Sequence, residues 1–338
     1  MSLVIVGNGL VSPAGLTPRA HACVLWARAL PLSASPFLRA DGEPVKVTYC
    51  PWLGARLGMG DRLAAMARWA LEDALRPLRG TPAGEDLPLL LCSDRHRPGL
   101  APDDDALLEQ TLARAAGARE TTRFQGAAGT FAALAAAEEL LAEGARAVAV
   151  VAVDSHVGEE ALADLVENPP SPWGKTPAPP AEGAAALVVT TPANARALGA
   201  SSLGVVHFSG TAQSRSNDDN DVAADGHAMT SLLRRLPPLR APAPAVFGQV
   251  SVDALRQGEW QLAVARNPAR FHPEYEMRSV DSELGAVGAA AGAMNLVYGL
   301  AVVGHRTTDA PVQEGDPFLA WAISRDGTRG LAAVSVKP

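Results

Sequence analysis

The sequence of 338 residues predicts an α/β fold built from two similar halves. Three observations carry that prediction. Ala147 to Val153 is an unbroken apolar run, so a strand there is buried on both faces, as in a sheet with helices above and below. Strand-like and helix-like patterns alternate along the chain. The alternation starts again after Ser202, which divides the chain into residues 1–200 and 201–338.

The elements follow in order. Leu3 to Gly7 is a short apolar run, and Gly7-Asn8-Gly9 after it reads as a tight turn. Leu63, Met66, Ala67, Ala70 and Leu71 recur at helical spacing, so residues 61–77 form a helix. Asp61 is its candidate cap and Pro77 its stop. Leu87 to Cys92 is a buried strand, 104–116 a helix and 127–143 an alanine-rich helix. The strand over Ala147–Val153 follows. Pro169 to Pro180 is proline-rich and reads as a surface loop, and Ala185 to Thr190 returns as a strand. Pro192 to Ser202, the connection between halves, has no obvious flexible tract.

In the second half Gly204 to Phe208 reads as a strand and the polar Ser214 to Asp221 as a loop. Asp225 to Leu236 is a helix and Ala245 to Val252 a strand. Residues 284–303 read as one long helix of small residues. Phe318–Ile323 and Leu331–Val336 form a hairpin around Asp326-Gly327.

Composition narrows the function. Hydrophobic residues make up 48% of the chain and aromatics 5%, so the core is mainly Ala, Leu and Val. A net charge of -7 without a basic run argues against nucleic acid as a partner. No apolar run approaches the ~20 residues of a membrane span, and no basic region precedes the apolar N-terminus as in a signal peptide. The three cysteines, Cys23, Cys50 and Cys92, form no C-x-x-C pair, which suits a reducing cytoplasm. The seven histidines are scattered, and none lies at i, i+4 from another histidine or a cysteine, so no metal site is expected. No phosphate-binding glycine loop is expected either, and no cofactor.

Five segments in order carry a resemblance. They are Val4–Gly15, Ala127–Leu134, Val153-Asp154-Ser155, Ala181–Val189 and Ser282–Gly292. The set resembles the thiolase superfamily, and within it the β-ketoacyl-acyl carrier protein synthases. The first segment is similar to that family's opening strand and Gly-x-Gly-x-x-Ser-Pro-x-Gly turn, the second to its nucleophile helix. The third stands where the family has a glycine-rich turn closing a strand. The fourth is similar to its Gly-Glu-Gly-Ala strand, and the last to its C-terminal signature. The resemblance spans almost the whole chain. It implies a five-layer αβαβα fold and a dimer built through the central sheets. The stretch between Asp154 and Glu182 is shorter than the family's, which puts its substrate-tunnel cap in doubt.

That chemistry uses a cysteine at a helix N-terminus, two histidines and a lysine; the helix end lowers the thiol pKa and supplies an oxyanion hole. Here the cysteine position falls on Gly126 or, slipped by one, on Gln125; the small residues downstream fit Gly126 better. The second histidine position is Ala286 and the lysine position Asp281. The first histidine has no counterpart between Val250 and Trp260. Substitutes are few. His156, after the central strand, is a candidate to face a pocket, against the plainer reading of a hydrogen-bonded loop residue. His207 reads as structural, His272 as part of a Phe-His-Pro-Glu turn and Cys92 as core. Cys23 and Cys50 lack the context of a nucleophile, and Asp218, Asp219 and Asp221 read as a solvated loop.

The sequence therefore predicts a synthase-like protein without catalysis, serving as a binding, scaffold or adaptor subunit. Its implied partners are a second thiolase-fold chain, as homodimer or heterodimer, and a carrier protein. A secretion effector is the other possibility: short degenerate thiolase-like proteins are encoded beside type VI secretion effectors, and Gly258-Glu259-Trp260 resembles that group. The competing class is an acyltransferase or thioesterase using a non-standard residue such as His156.

Overall fold

The computed structural model describes the chain except residues 1–2, 28, 31, 55–56, 82–86, 95–96, 168–177, 217–224, 250–253, 306–311, 314 and 337–338, and the side chains of 254–256. The first part supplies β1 (Leu3–Val11), α1 (Pro18–Trp26), β2 (Ser33–Leu38), β3 (Pro44–Val47), α2 (Met59–Ala74), β4 (Leu89–Cys92), α3 (Pro102–Ala116), β5 (Thr121–Phe124), α4 (Gly129–Ala142), β6 (Val148–Ser155), α5 (Glu159–Glu167), β7 (Glu182–Thr190) and α6 (Pro192–Ala197). The second supplies β8 (Gly204–Gln213), α7 (His227–Arg235), β9 (Ala243–Gly248), α8 (Ala254–Ala265), β10 (Phe271–Arg278), α9 (Val280–Glu283), α10 (Ala291–Gly304), β11 (Pro317–Ile323) and β12 (Thr328–Val336).

The sheet records a duplication. Its order is β10-β9-β11-β12-β8-β1-β7-β6-β4-β5, with β2 and β3 forming a separate hairpin. Divided between β8 and β1, each half has its own strands in the order third, second, fourth, fifth, first. The directions repeat too. The second strand runs parallel to the third and fourth. The fifth runs antiparallel to the fourth and first. The halves join where Leu3–Ile5 pair antiparallel with Gly204–Val206.

Helices complete five layers. α2 and α3 cover the outside of the first half-sheet, and α7 and α8 that of the second. α4 and α10 touch strands of both half-sheets and lie between them. Apolar side chains fill each interface: Met66, Leu71 and Val151 on one outer side, Met229, Leu233 and Trp321 on the other, and Phe131, Leu134 and Met294 in the middle. β6 and β7 are buried along their full length, as the run Ala147–Val153 requires.

Glycines set how closely the layers approach. Gly7-Asn8-Gly9 is not a turn; β1 runs straight through it to Val11. A Cβ on Gly7 or Gly9 would fall on the Ala74 or Ala70 carbonyl oxygen of α2, so the glycines let the helix backbone lie against the strand. Gly183 on β7 lies under Met294 of α10, and Gly330 on β12 lies under Phe131 of α4. Each glycine thus seats a buried side chain of a central helix, worth about 1.5–3 kcal/mol of burial.

Beside each of those glycines is a buried ion pair. Glu182 accepts from Arg62 Nε (2.7 Å) and Nη2 (2.9 Å), from Cys50 N–H (2.7 Å) and from the Ser155 hydroxyl (3.0 Å). Arg329 donates from Nε (3.0 Å) and Nη2 (2.9 Å) to Glu259 of α8, and from Nη2 to the Ser216 carbonyl at 3.1 Å. Its Nη1 is buried without a partner among the described residues.

Three local expectations change. The residue capping α2 is Gly58, and Asp61 lies inside the first turn. The helix expected over 284–303 starts only at Ala291, because Gly285 (φ +120°) and Gly288 (φ +51°) break the chain ahead of it and Gly288–Ala290 is a 3-10 turn. His272 lies in β10, an edge strand where Pro273 costs no ladder hydrogen bond to a neighbour beyond β9. Most of Pro169–Pro180 and of Ser214–Asp221 lies outside the described residues.

Candidate active site

The turn from β5 into α4 carries both residues expected at the nucleophile position. Gln125 is exposed and Gly126 is buried. Gly126 has φ +68°, and its carbonyl accepts the Gly129 N–H at 3.0 Å. Its own N–H donates to Asp94 Oδ1 at 3.2 Å. A Cβ on Gly126 would fall on the Ser324 side chain, 2.7 Å from Ser324 Cβ. The Ser324 hydroxyl accepts the Ala128 N–H at 2.9 Å. The helix end that would activate a thiol is therefore capped by a serine from the turn after β11.

α10 begins in the same way. Gly288 is left-handed, three positions before the helix as Gly126 is before α4. A Cβ on Gly288 would fall on the Asp154 carboxylate and the His156 ring. Asp154 accepts the Ala289 N–H at 2.7 Å through Oδ2 and the Ser155 N–H at 2.8 Å through Oδ1. Each helix N-terminus is a ready site for negative charge. At α10 the protein's own carboxylate fills it.

Arg97 links the two ends. Its Nη2 donates to Asp154 Oδ2 and, at 3.1 Å, to Asp94 Oδ2, while Asp94 Oδ1 holds the Gly126 N–H. Burial pushes Asp154 up to about 6, against the pull of Arg97. Arg97 Nη1 lies 3.0 Å from His156 Nδ1. A guanidinium only donates, so Nδ1 accepts and the imidazole is neutral. Burial, with Arg97 and Arg325 nearby, holds the His156 pKa well below its usual value, so its 3.8 Å separation from Asp154 is not an ion pair. His156 Nε2 is buried, has no hydrogen-bond partner among the described residues and faces Gly288.

The other expected positions lie apart from this cluster or carry no reactive group. Ala286 is tied by its backbone, its N–H donating to Pro179 O (2.8 Å) and its carbonyl accepting from Ala181 N–H (3.0 Å). Asp281, in α9, is 1% exposed, and burial pushes it up to about 7. Val250–Asp253 lie outside the described residues. Glu259 and Trp260 belong to the outer layer, where Trp260 stacks on Trp321 at 4.8 Å. His207 Nε2 pairs with Ser335 Oγ across strands at 2.8 Å, and His272 Nδ1 accepts the Glu274 N–H. Cys50 and Cys92 are buried and burial raises both thiols, Cys92 to about 12, so neither is a thiolate; Cys23 is exposed on α1. Asp218, Asp219 and Asp221 lie outside the described residues. Among the described residues no three His, Cys, Asp or Glu side chains gather to hold a metal, and no helix is long and apolar enough to cross a membrane.

Asp94, Arg97 and Ser324 were not singled out from the sequence. A signal for two of them exists: Ser93-Asp94-Arg95-His96-Arg97 is a polar, charged run directly after a buried strand, and the carboxyl ends of strands are where α/β folds place their sites. Ser324 has no such local signal.

No protein-family model and no curated protein matches the sequence. Solved structures do match the fold. A chain of the AntDE:AntF complex, a type II PKS acyl-carrier protein with its ketosynthase bound to the hexaketide, is 14% identical over 99% of both chains, with a TM-score of 0.78. The ishigamide ketosynthase/chain length factor is 20% identical over 100% of both chains, with a TM-score of 0.73. The ketosynthase from module 6 of the bacillaene synthase from Bacillus subtilis 168 is 14% identical over 100% of this chain and 72% of its own, with a TM-score of 0.75. The repeated strand order, the paired central helices and these likenesses along the whole chain lead to one architecture: the protein has the thiolase-like fold of the ketosynthases.

Proposed function

We propose that this chain is a ketosynthase-fold subunit without condensing chemistry, acting in the cytoplasm as a binding, scaffold or adaptor component. One observation carries the reading. Gly126 is left-handed, and the Ser324 side chain occupies the space into which a nucleophile's Cβ would project. Asp154 at the second helix end and Ala286 at the histidine position point the same way. The residues 1–200 and 201–338 are then two structural repeats rather than two functional domains.

A partner supplies the function in this reading. The first choice is another thiolase-fold chain, as homodimer or heterodimer, with a carrier protein bound to the assembly. A ketosynthase/chain length factor and a ketosynthase in complex with an acyl-carrier protein among the similar structures favour this choice over a secretion effector. A thioesterase or acyltransferase that used His156 would need it as a base. Its Nδ1 is engaged by Arg97 and its Nε2 is buried against Gly288, which leaves no nitrogen facing a substrate.

The test has two arms. Purified protein is incubated with malonyl and acyl thioesters of a carrier protein, and intact mass and carbon dioxide release are followed. No acyl adduct and no release are expected; either one, if stoichiometric, overturns the inactive assignment. Affinity purification from the native host then asks which protein accompanies it. An active ketosynthase or carrier protein supports the first choice, and a secretion effector replaces it with the second.

A further inference from the structure

We propose that Asp281 is a pH-operated latch on residues 279–288, the segment that leads into α10. The proposal stands whichever partner the protein has.

The geometry has three parts. First, Asp281 is 1% exposed and, among the described residues, neither carboxylate oxygen has a hydrogen-bond partner of normal geometry. The groups acting on it are the Val287 N–H and the Gln249 side chain, both neutral. Gln249 is held in turn, its Oε1 accepting the Ile323 N–H at 2.6 Å. An ionised carboxylate so placed is costly, and a protonated one far less so.

Second, the segment is jointed. α9 is four residues long, and Gly285 and Gly288 after it both have positive φ. Its polar anchors include Val280 N–H to Asn295 Oδ1 at 3.2 Å, the Thr48 hydroxyl to the Leu284 carbonyl at 2.5 Å, the Tyr298 hydroxyl to Glu283 Oε2 at 2.7 Å, and the backbone pair between Ala286 and residues 179–181. Local units of this size open before the whole fold does.

Third, the other charged groups around the segment are already compensated. Glu283 faces Tyr298, whose hydroxyl also accepts from Arg278 Nη1. Asp154, behind Ala289, is paired with Arg97, and the neutral His156 packs beside it. Among the described residues, Asp281 is the carboxylate here without a cation.

The sign follows from linkage. With its pKa near 7 when closed and near the ordinary ~4 when open, Asp281 favours the closed segment at acid pH. That preference weakens as pH rises from about 4 and is spent by about 7 to 8. From pH 6 to pH 8 the opening constant of the segment rises roughly tenfold. Asp154, at about 6, would by the same arithmetic give only about a twofold change over that range.

Hydrogen-exchange mass spectrometry on the full chain, corrected for the intrinsic pH dependence of exchange, tests this. Peptides covering 279–288 should open about tenfold more at pH 8 than at pH 6. Asp281→Asn should remove the rise, and Asp154→Asn should leave most of it. A flat wild-type profile, or an unchanged rise in Asp281→Asn, overturns the proposal. Should Asp281→Asn fail to fold, Gln249→Leu is the second variant. It removes a donor to the ionised form and should move the rise to higher pH; an unmoved rise also overturns the proposal.

Discussion

Glu182 and Arg329 hold the same place in the two halves and carry opposite charge. Each precedes the glycine of its fifth strand, Gly183 or Gly330, and each reaches an outer helix for its partner, Arg62 of α2 or Glu259 of α8. The duplication kept a buried ion pair at that point and reversed its polarity. The two pairs are not energetically alike. Glu182 takes four hydrogen bonds, two of them from outside the pair, whereas Arg329 Nη1 has no partner among the described residues.

That difference predicts different outcomes on removal. Arg329→Met strands a buried Glu259 and should cost about 3–5 kcal/mol. Adding Glu259→Leu removes the stranded charge and should recover most of the loss. The matching pair, Arg62→Met with Glu182→Leu, should recover less, because the Cys50 N–H and Ser155 hydroxyl lose their acceptor. Urea unfolding of the four variants checks this. Equal recovery in the two halves would contradict the asymmetry.

Gly126→Ala should destabilise by roughly 2–4 kcal/mol, from the left-handed backbone and the collision with Ser324 together. In a Ser324→Gly background the collision is gone, and the cost should fall to the backbone part, about 1–2 kcal/mol. A double-mutant cycle reads the coupling directly. Strict additivity would mean that the serine does not occupy the space beside Gly126.

Arg97→Met leaves Asp154 buried without its cation, so its cost depends on pH. The Asp154 pKa should climb above 6 in the variant. At pH 8 the folded protein then holds an uncompensated carboxylate, and the loss should approach about 3–5 kcal/mol. At pH 5 the carboxyl is protonated in the folded variant, and the loss should be smaller by about 1 kcal/mol or more. Thermal unfolding at the two pH values measures the difference. A cost independent of pH would place the Arg97 contribution in packing instead.

The elements legible in the sequence are those whose burial is uniform. β6 is apolar from Val148 to Val153, and α2 shows a clean helical period, so pattern alone found both. β5 and β10 are polar edge strands, Thr121–Phe124 and Phe271–Arg278, and their strand character comes from pairing on one side only. Gly7-Asn8-Gly9 misled because a glycine beneath a helix and a glycine in a turn look alike in one dimension. Of the site, the sequence offered Gly126 and Ala286 as the expected nucleophile and histidine positions. What packs against Gly126 was not legible: Ser324 is 198 positions from it, and only the folded sheet brings them together.

His21 sets an acid limit on stability. It is fully buried, with Nδ1 bonded to the Ser12 hydroxyl at 2.7 Å and its ring edge-on to Tyr298 at 5.3 Å. Burial lowers its pKa from 6.5 to about 3. The folded state therefore holds it neutral, while the unfolded chain binds a proton below about 6.5. Its stabilising contribution is present above that pH and is lost as pH falls, by about 2 kcal/mol at pH 5. Asp154 and Asp281 work in the opposite direction over the same range, because burial raises them. His21→Phe combined with Ser12→Ala keeps the aromatic contact and removes the titrating group. In urea unfolding this variant should gain about 2 kcal/mol relative to wild type on going from pH 7.5 to pH 5. A constant difference between the two proteins would mean that His21 is protonated in the folded state.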